Sequence, residues 1–407
     1  MSAILIDISR LLYRRFANRL PTGVDRVSLE YLRRYMGVAR AVLSLGGFHV
    51  VLPRAASEWV FRFLSDPSTS SRRHWWYVPQ LGMAIFVGFC FERNVTGAIL
   101  FNTGHMGLGD FQYARGLRAR GVRPVFMVHD LIPITHPEFC RPGEREKHWR
   151  RMHNVLRLAH GIVTNSEDTL AGLELFAKRV SLPMPAVLVA PLAPGLTHAS
   201  PTARQIEGPY FVVLSTIEPR KNHSMLLHLW RRLREELGEN APRLVIIGQR
   251  GWECENVVDL LERSELLREF VFELPRCNDA DLASYLHHAQ ALLFPSFVEG
   301  YGMPLIEALA AGVPVVASNL AVFREFAADI PDYADPLDPQ QWLALIKEYS
   351  SPISTKRAAQ LERMRTFVLP TWDRHFALLE SLLLRLESGA CGMEPLAANN
   401  RHFQDFS

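Results

Sequence analysis

Two glutamates with seven residues between them, Glu299 and Glu307, enclose the part of the sequence best suited to chemistry. A short apolar run precedes them at residues 291–294 and has the length and composition of a buried strand. Pro304 stands where the first turn of a helix is expected, and Gly312 marks its end. The pattern therefore predicts a strand, a glycine loop and a helix, whose free backbone amides form an anion site.

The two carboxylates are better placed to accept hydrogen bonds from neutral hydroxyl groups than to meet the anion, because a phosphate at the helix start would repel them. A diphosphate with a sugar at one end and a ribose at the other would supply such hydroxyls. Taken alone, Glu299 fits an ordinary loop acid and Glu307 a first-turn helix acid. The pair around one loop favours binding of a diphosphate that carries a sugar and a ribose. The loop residues predicted to contact this ligand are Gly300, Tyr301, Gly302, Met303 and Pro304.

A basic pair, Arg220 and Lys221, lies in the loop after a predicted strand at residues 210–214. Arginine can donate to two phosphate oxygens at once, whereas lysine acts as a mobile point charge. These cations would stabilise a leaving nucleoside diphosphate more strongly in the transition state than in the ground state. A solvated basic turn is the alternative, and the position after a strand favours the functional interpretation.

The first half of the chain contains weaker candidates. His129 and Asp130 follow a predicted strand at residues 125–128, where Asp130 would fix the histidine tautomer or cap the next turn. Gly23 and Arg26 belong to a glycine loop without the spacing of a dinucleotide-binding motif, and a structural turn explains them almost as well. Asn165 follows another predicted strand.

Composition and length narrow the class of protein. A chain of 407 residues suits two domains, and a net charge of +3 gives no reason to expect nucleic-acid binding. Five scattered cysteines without CxxC spacing indicate a reducing compartment and no zinc site. The start resembles no signal peptide, and the longest apolar run, residues 81–91, is too short to span a bilayer. We therefore expect a cytoplasmic protein.

Asp279 and Asp281 have the Asp-x-Asp form of a metal–diphosphate site, but they precede an apolar helical pattern. We interpret Asp279 as a helix N-cap and Asp281 as a first-turn acid, and expect no metal site. Arg276, in the segment that follows a predicted strand at residues 271–274, is a candidate contact of the nucleobase.

Strands alternate with helices along both halves, which predicts an α/β protein with mostly parallel sheets. Six prolines crowd residues 183–209, so the linker is predicted at about 192–208. The predicted parts are a first domain at 1–198, a second domain at 209–370, a helix at 371–388 and a loosely ordered tail at 389–407. The predicted strands are residues 4–8, 48–52, 98–101, 125–128, 161–164, 187–190, 210–214, 244–248, 271–274, 291–294 and 314–317.

The segment PSFVEGYGMPLIEALAAGVPVVAS, with Glu299 and Glu307 in place, resembles the signature of the retaining GT-B glycosyltransferases of family 4. The resemblance implies two doubly wound, Rossmann-like domains facing across a cleft, with the C-terminal helix crossing back to the first domain. It also implies a nucleotide-sugar donor, with Glu299 on the transferred sugar and Glu307 on the ribose. Retention, a front-face mechanism and independence of metal or other cofactor come with the family.

The resemblance extends to other candidates. Lys221 matches the phosphate-binding lysine of the family, while Thr216 stands where many members carry an arginine that Arg220 would replace. The Glu-Pro-Arg-Lys-Asn form of this loop resembles enzymes of bacterial surface-polysaccharide assembly, several of which use GDP-mannose. His129 would contact the donor sugar. Gly23 and Arg26 would face the acceptor and donor phosphates, and Asn165 would face the cleft.

The function implied is transfer of a hexose, with mannose favoured, from a nucleotide-diphosphate sugar to a glycan or lipid-linked acceptor. A catalytically silent sugar-nucleotide-binding subunit and a GT-B epimerase or phosphorylase are the alternatives. Arginines and aromatic residues at 72–77, with Arg33 and Arg34, further predict peripheral contact with the inner face of the cytoplasmic membrane. For the aromatic stretch, a buried helix with one aromatic edge is an equal alternative.

Overall fold

The computed structural model describes residues 2–19, 21–45, 48–66, 77–90, 94–195 and 203–388. The chain forms two compact units. The first comprises Met1–Thr135, Pro142–Leu192 and Trp372–Ser407, and the second comprises His136–Arg141 and Ala193–Thr371. Most of the basic-aromatic stretch at 72–77, and the whole tail at 389–407, lie outside the described residues.

In the described part of the first unit, seven strands form one sheet in the order β3-β2-β1-β4-β5-β6-β7. Neighbouring strands are parallel except for the edge pair of β2 and β3. The strands are β1 Ile4–Asp7, β2 Arg40–Leu45, β3 Phe48–Val51, β4 Ile99–Asn102, β5 Arg123–Val128, β6 Gly161–Thr164 and β7 Ala186–Val189. Helices cover the sheet, so central strands such as β1 and β4 are buried along their whole length.

The helices of this unit precede, separate and follow these strands. They are α1 Ser9–Phe16, α2 Gly23–Tyr35, α3 Arg54–Ser65, α4 Val78–Cys90, α5 Phe111–Ala119, α6 Ile132–Thr135, α7 Glu144–Leu158, α8 Glu167–Val180 and, from the end of the chain, α16 Trp372–Ser388. None of the described helices is long and apolar enough to cross a membrane.

Helix α16 returns to the first unit, as predicted. Its His375 is buried between the Tyr31 hydroxyl, 2.9 Å from Nε2, and the Pro191 carbonyl oxygen, 3.1 Å from Nδ1. Because burial lowers the pKa of His375 to about 4, the imidazole is neutral and donates from Nδ1. Phe376 packs edge-on against Tyr31 with ring centroids 5.2 Å apart. These contacts fasten the helix to α2.

Arg33 and Arg34, expected from the sequence to face a lipid surface, both form ion pairs within the first unit, and their contact with a membrane stays a prediction. Arg33 forms an ion pair with Glu30 on its own helix. Arg34 donates to Glu380 of α16 at 2.8 Å, and its guanidinium lies over the ring of Phe376, 5.6 Å from the centroid. Both arginines therefore serve contacts within the first unit.

The described part of the second unit contains a six-stranded parallel sheet in the order β10-β9-β8-β11-β12-β13. Its strands are β8 Tyr210–Leu214, β9 Arg243–Ile247, β10 Val271–Leu274, β11 Leu292–Phe294, β12 Val315–Ser318 and β13 Asp332–Ala334. Its helices are α9 His223–Leu237, α10 Glu255–Arg263, α11 Asp279–His287, α12 Met303–Ala310, α13 Ala321–Ala327, α14 Pro339–Ser350 and α15 Thr355–Met364. The strand order places β8 and β11 side by side at the centre of the sheet.

One crossing of the chain was not anticipated. The short segment His136–Arg141 follows α6 of the first unit in sequence yet belongs to the second unit. There the ring of Phe139 lies parallel to that of Phe297, with centroids 5.3 Å apart. The second unit thus includes residues that the sequence assigned to the first.

Candidate active site

The loop between β11 and α12 depends on a glycine. Gly302 has φ +104°, in the left-handed region, and a Cβ there would lie 2.5 Å from Cε1 of Phe323. Gly302 precedes α12, which begins at Met303. Pro304 is therefore the second residue of the helix, whereas the sequence predicted it as the first. Gly302 therefore lets the chain turn into the helix while the loop packs closely on α13.

Both glutamates of this segment are buried, with exposed fractions of 8% for Glu299 and 6% for Glu307. Glu307 lies within α12 and Glu299 in the loop before it. Tyr301 is buried as well, and its ring lies 4.9 Å from that of Phe326. Because a buried carboxylate is costly without compensation, each acid needs polar or charged partners.

Glu299 finds its partners on the loop that follows β8. Arg220 Nη1 donates to Glu299 Oε2 at 2.8 Å, and Lys221 Nζ donates to Glu299 Oε1. Arg220 and Lys221 end a short turn of 3-10 helix, Pro219–Lys221, which is stopped by Asn222 in the left-handed conformation. The predicted catalytic acid and both predicted cations therefore form one buried cluster.

Backbone contacts hold the two loops together around this cluster. The amide of Phe297 donates to the Arg220 carbonyl oxygen at 2.8 Å, and Arg220 Nη1 also donates to the Val298 carbonyl oxygen at 3.2 Å. The two loops leave the carboxyl ends of β8 and β11, which are neighbours in the sheet. This is the edge at which parallel α/β sheets bind ligands.

The electrostatics of the cluster favour an ionised Glu299. Burial alone would raise the pKa of this carboxyl, but the charges of Arg220 and Lys221 lower it to about 2. Burial and the neighbouring Arg220 charge lower the pKa of Lys221, while Glu299 opposes that shift. Glu218, which pairs with Arg220 Nε at 2.7 Å, brings the cluster to two positive and two negative charges. The charges of the cluster are therefore balanced among its own members.

Two other predicted donor contacts lie in loops at the same edge of the sheet. Thr216 is exposed in the loop after β8. Its Cγ2 packs closely on Gly251, since a Cβ added to that glycine would lie 2.9 Å from it. Arg276 is exposed in the loop after β10, two strands from β8. The structure does not bring Thr216 or Arg276 into the charged cluster.

The interpretation of the Asp-x-Asp segment needs one correction. Asn278, and not Asp279, is the N-cap of α11, because its side-chain oxygen accepts from the amide of Asp281 at 2.8 Å. Asp279 is the first residue of the helix. Within the described residues, the side chains of His, Cys, Asp and Glu form no group of three or more that could hold a metal ion.

In the first unit, His129 lies at the carboxyl end of β5, and its imidazole is buried. Its Nε2 lies 2.7 Å from the Thr103 carbonyl oxygen. Burial lowers the pKa of His129, so the imidazole is neutral, donates from Nε2 and keeps Nδ1 as an acceptor. Asn165 donates to the His129 carbonyl oxygen at 3.0 Å, which brings two predicted residues together.

Asp130 caps the following turn and does not set the tautomer of its neighbour. Its Oδ1 accepts from the Ile132 amide at 3.1 Å. Two further histidines lie beside this segment, the half-buried His105 and the buried His148. The ring centroid of His105 lies 5.3 Å from that of His129 and 5.9 Å from that of His148. No periodic pattern in the sequence predicts this group of three histidines, because its members come from three separate segments.

The loop at residues 22–26 is a helix start built on Asp25. Thr22 is the N-cap of α2 and Gly23 its first residue, and the Asp25 side chain accepts from the Thr22 amide at 2.7 Å. Arg10 and Arg14 each pair with Asp25 at 2.7 Å, whereas Arg26 is half-buried. Sequence reasoning missed these two arginines, although their spacing of four residues in α1 places them on one helix face.

Comparison with known proteins agrees with this architecture. Residues 199–349 match the family model of the glycosyl transferases group 1. The chain is 27% identical over 272 residues to the serotype-specific mannosyltransferase WbdA of Escherichia coli, covering 58% of this chain and 32% of that protein. It is 30% identical over 229 residues to an O-antigen chain mannosyltransferase B of the same species, covering 53% and 58%. The chain thus spans between a third and three fifths of these relatives.

Solved structures support the same fold over nearly the whole chain. A sucrose-phosphate synthase from Thermosynechococcus elongatus aligns with TM-score 0.63 and 15% identity, covering 96% of this chain and all of that one. The Anabaena protein HepE, solved with UDP and glucose, aligns with TM-score 0.60 and 14% identity, covering 95% and 100%. The chain has the GT-B fold, and residues 199–349, which lie within its second unit, match the glycosyl transferases group 1 model.

Proposed function

We propose that this protein is a retaining glycosyltransferase that transfers a hexose, with mannose favoured, from a nucleotide-diphosphate sugar. The acceptor is a glycan or lipid-linked oligosaccharide of a bacterial surface polysaccharide, at the cytoplasmic face of the inner membrane. The observation that carries the proposal is the buried cluster of Arg220, Lys221 and Glu299 beside the loop before α12. The mannosyltransferases among the relatives support mannose as the transferred sugar, and we propose GDP-mannose as its donor.

The cluster suits a donor diphosphate for a stated electrostatic reason. Arg220 and Lys221 are cations held in place by a backbone turn, and both donate to Glu299. A donor would take over the two cations and release Glu299 to accept from a hydroxyl of the transferred sugar. Glu307, one turn into α12, would accept from the ribose, so the two glutamates would bind opposite ends of one donor.

The proposed reaction uses no resident cofactor. The acceptor hydroxyl attacks the anomeric carbon from the side that the nucleoside diphosphate leaves. The bond from that carbon to the diphosphate oxygen breaks with its electron pair, and the acceptor proton passes to the leaving phosphate. Fixed cations such as Arg220 and Lys221 stabilise the charge that develops on this oxygen. His129, neutral and with Nδ1 free to accept, is proposed to orient a hydroxyl of the donor sugar.

A panel of nucleotide sugars tests the proposal in two stages. Thermal shift of the full chain should identify one donor that stabilises the protein, with GDP-mannose expected. That donor should then release its nucleoside diphosphate only when a glycan acceptor is added. Binding without turnover would identify a silent sugar-nucleotide-binding subunit, and turnover without an acceptor would indicate an epimerase or hydrolase. Either result would overturn the proposal.

A further inference from the structure

The short segment His136–Arg141 places one aromatic ring on the loop that precedes Glu299. The segment follows α6 of the first unit in sequence and belongs to the second unit. The rings of Phe139 and Phe297 are stacked, with centroids 5.3 Å apart and planes 3° from parallel. Phe297 stands two positions before Glu299 in the chain. Phe139 therefore contacts the part of the loop that leads directly to the buried glutamate.

The backbone around Phe139 holds its ring in a defined position. Phe139 ends a short turn of 3-10 helix, Pro137–Phe139, which begins with a proline. The amide of Phe139 donates to the His136 carbonyl oxygen at 3.1 Å, and the amide of Cys140 donates to the Pro137 carbonyl oxygen at 3.0 Å. Because proline fixes its own φ angle, this turn is a stiff support for the ring.

The loop residues before Glu299 lie outside helices and strands and are held through Arg220. The amide of Phe297 donates to the Arg220 carbonyl oxygen at 2.8 Å, and Arg220 Nη1 donates to the Val298 carbonyl oxygen at 3.2 Å. The same guanidinium group donates to Glu299 Oε2 at 2.8 Å. A shift of this loop would therefore move Glu299 relative to its cationic partners.

The stacked pair of Phe139 and Phe297 is separate from the main packing of the second unit. Both rings are half-buried, and neither belongs to the two buried apolar clusters described in this unit. Loss of one ring should therefore free the loop before Glu299 while those clusters stay packed. An aromatic pair of this kind shifts a local opening equilibrium by roughly tenfold.

The same stretch of chain carries a second residue of the proposed reaction. His129, proposed to orient a hydroxyl of the donor sugar, precedes Phe139 by ten positions, and α6 lies between them. We propose that Phe139 is a positioning residue, which fixes Glu299 for the transferred sugar by holding Phe297 in place. The inference rests on the proposed function, because it gives Phe139 a part in that reaction.

Amide hydrogen exchange of the full chain, with isotope-labelled phenylalanine, measures the positioning without donor or acceptor. In Phe139→Ala, the Phe297 amide should exchange about tenfold faster than in wild type, because its hydrogen bond to Arg220 opens more often. Phe139→Tyr keeps the ring and should restore wild-type exchange. The matched control is Phe367→Ala, which removes another half-buried phenylalanine of the second unit and should leave exchange at Phe297 unchanged.

Kinetics with the donor that the nucleotide-sugar panel selects tests the consequence for the reaction. The kcat of Phe139→Ala should fall about tenfold, and the KM for the donor should change by less than about twofold, because Arg220 and Lys221 still bind the diphosphate. Phe139→Tyr should restore kcat. Phe367→Ala should leave both constants unchanged.

Several results would overturn the assignment of Phe139. One is unchanged exchange at Phe297 in Phe139→Ala, and another is faster exchange throughout the second unit, which would indicate general destabilisation. Full kcat in Phe139→Ala, or an equal loss of kcat in Phe367→Ala, would overturn it as well. If the wild type turns over no donor, the proposed function fails, and exchange at Phe297 still decides whether Phe139 holds the loop.

Discussion

Replacement of Glu299 by glutamine tests whether the donor diphosphate and this carboxylate compete for the same two cations. In the structure, Glu299 accepts from Arg220 at 2.8 Å and from Lys221, and all three side chains are largely buried. Glutamine keeps the size of the side chain and removes its charge. Arg220 and Lys221 would then lie beside each other without the carboxylate that offsets their repulsion.

The magnitude follows from the lowered pKa of Glu299. Its fall from 4.5 to about 2 corresponds to roughly 3 kcal/mol in favour of the ionised carboxylate. Because the pKa is lower in the folded state, this stabilisation is present above pH 4.5 and is lost as the pH falls toward 2. The variant should therefore lose roughly 3 kcal/mol at neutral pH, or about 6–12 °C in melting temperature for a domain of this size.

Binding should change in the opposite direction. If about half of that free energy opposes displacement of the carboxylate, its removal tightens nucleoside-diphosphate binding about tenfold. Calorimetry with GDP and UDP would measure this, with turnover of the variant reduced because the sugar contact is lost. Glu218→Gln is the control, since Glu218 pairs with Arg220 but not with Lys221. Weaker or unchanged nucleoside-diphosphate binding by the Glu299 variant would refute the competition.

Three further outcomes are expected. Glu307→Ala should mainly raise the KM for the donor, and Glu299→Ala should mainly lower kcat. Full activity of both variants would show that neither glutamate belongs to the active site. Activity should survive EDTA and the substitution Asp279→Ala, whereas a requirement for added divalent metal would contradict the assigned role of the arginine and lysine. Burial lowers the pKa of His129 below 6.5, so the unfolded chain binds a proton there that the folded chain does not. Between pH 6.5 and the lower pKa of the folded state, this residue should reduce the free energy of unfolding by about 1.4 kcal/mol for each unit by which the pH falls. Denaturant titrations of wild type and His129→Gln should show a shallower pH dependence in the variant, and equal slopes would contradict the buried neutral state.

Local signals in the sequence were enough to predict the conformation of the loop between β11 and α12. A buried strand, a glycine loop and an early proline specify one conformation at Gly302 and α12, and the structure has it. Two strands were missed, β13 and β2. β13 has three residues, too few to show an apolar pattern that distinguishes a strand from a loop. β2 reads RAVLSL, an apolar run long enough for a strand, and its pairing with β3 is antiparallel, unlike the strand–helix alternation on which the prediction was based.

The ion pairs of the candidate site depend on sheet order and could not be predicted from spacing alone. Lys221 and Glu299 are 78 residues apart, and they meet because β8 and β11 are neighbours. If the strands are assumed to follow a doubly wound order, the loops after β8 and β11 are expected at the same edge of the sheet. The sequence therefore singled out Glu299, Arg220 and Lys221 separately, and the structure shows that their side chains pair with one another.

The stereochemistry of the product tests the central proposal most directly. Nuclear magnetic resonance of the full chain with the selected nucleotide sugar and a glycan acceptor would follow the one-bond coupling between the anomeric carbon and its proton. We expect a product with the anomeric configuration of the donor, formed in step with release of the nucleoside diphosphate. An inverted product, or release of the diphosphate without a new glycosidic bond, would contradict the proposed reaction.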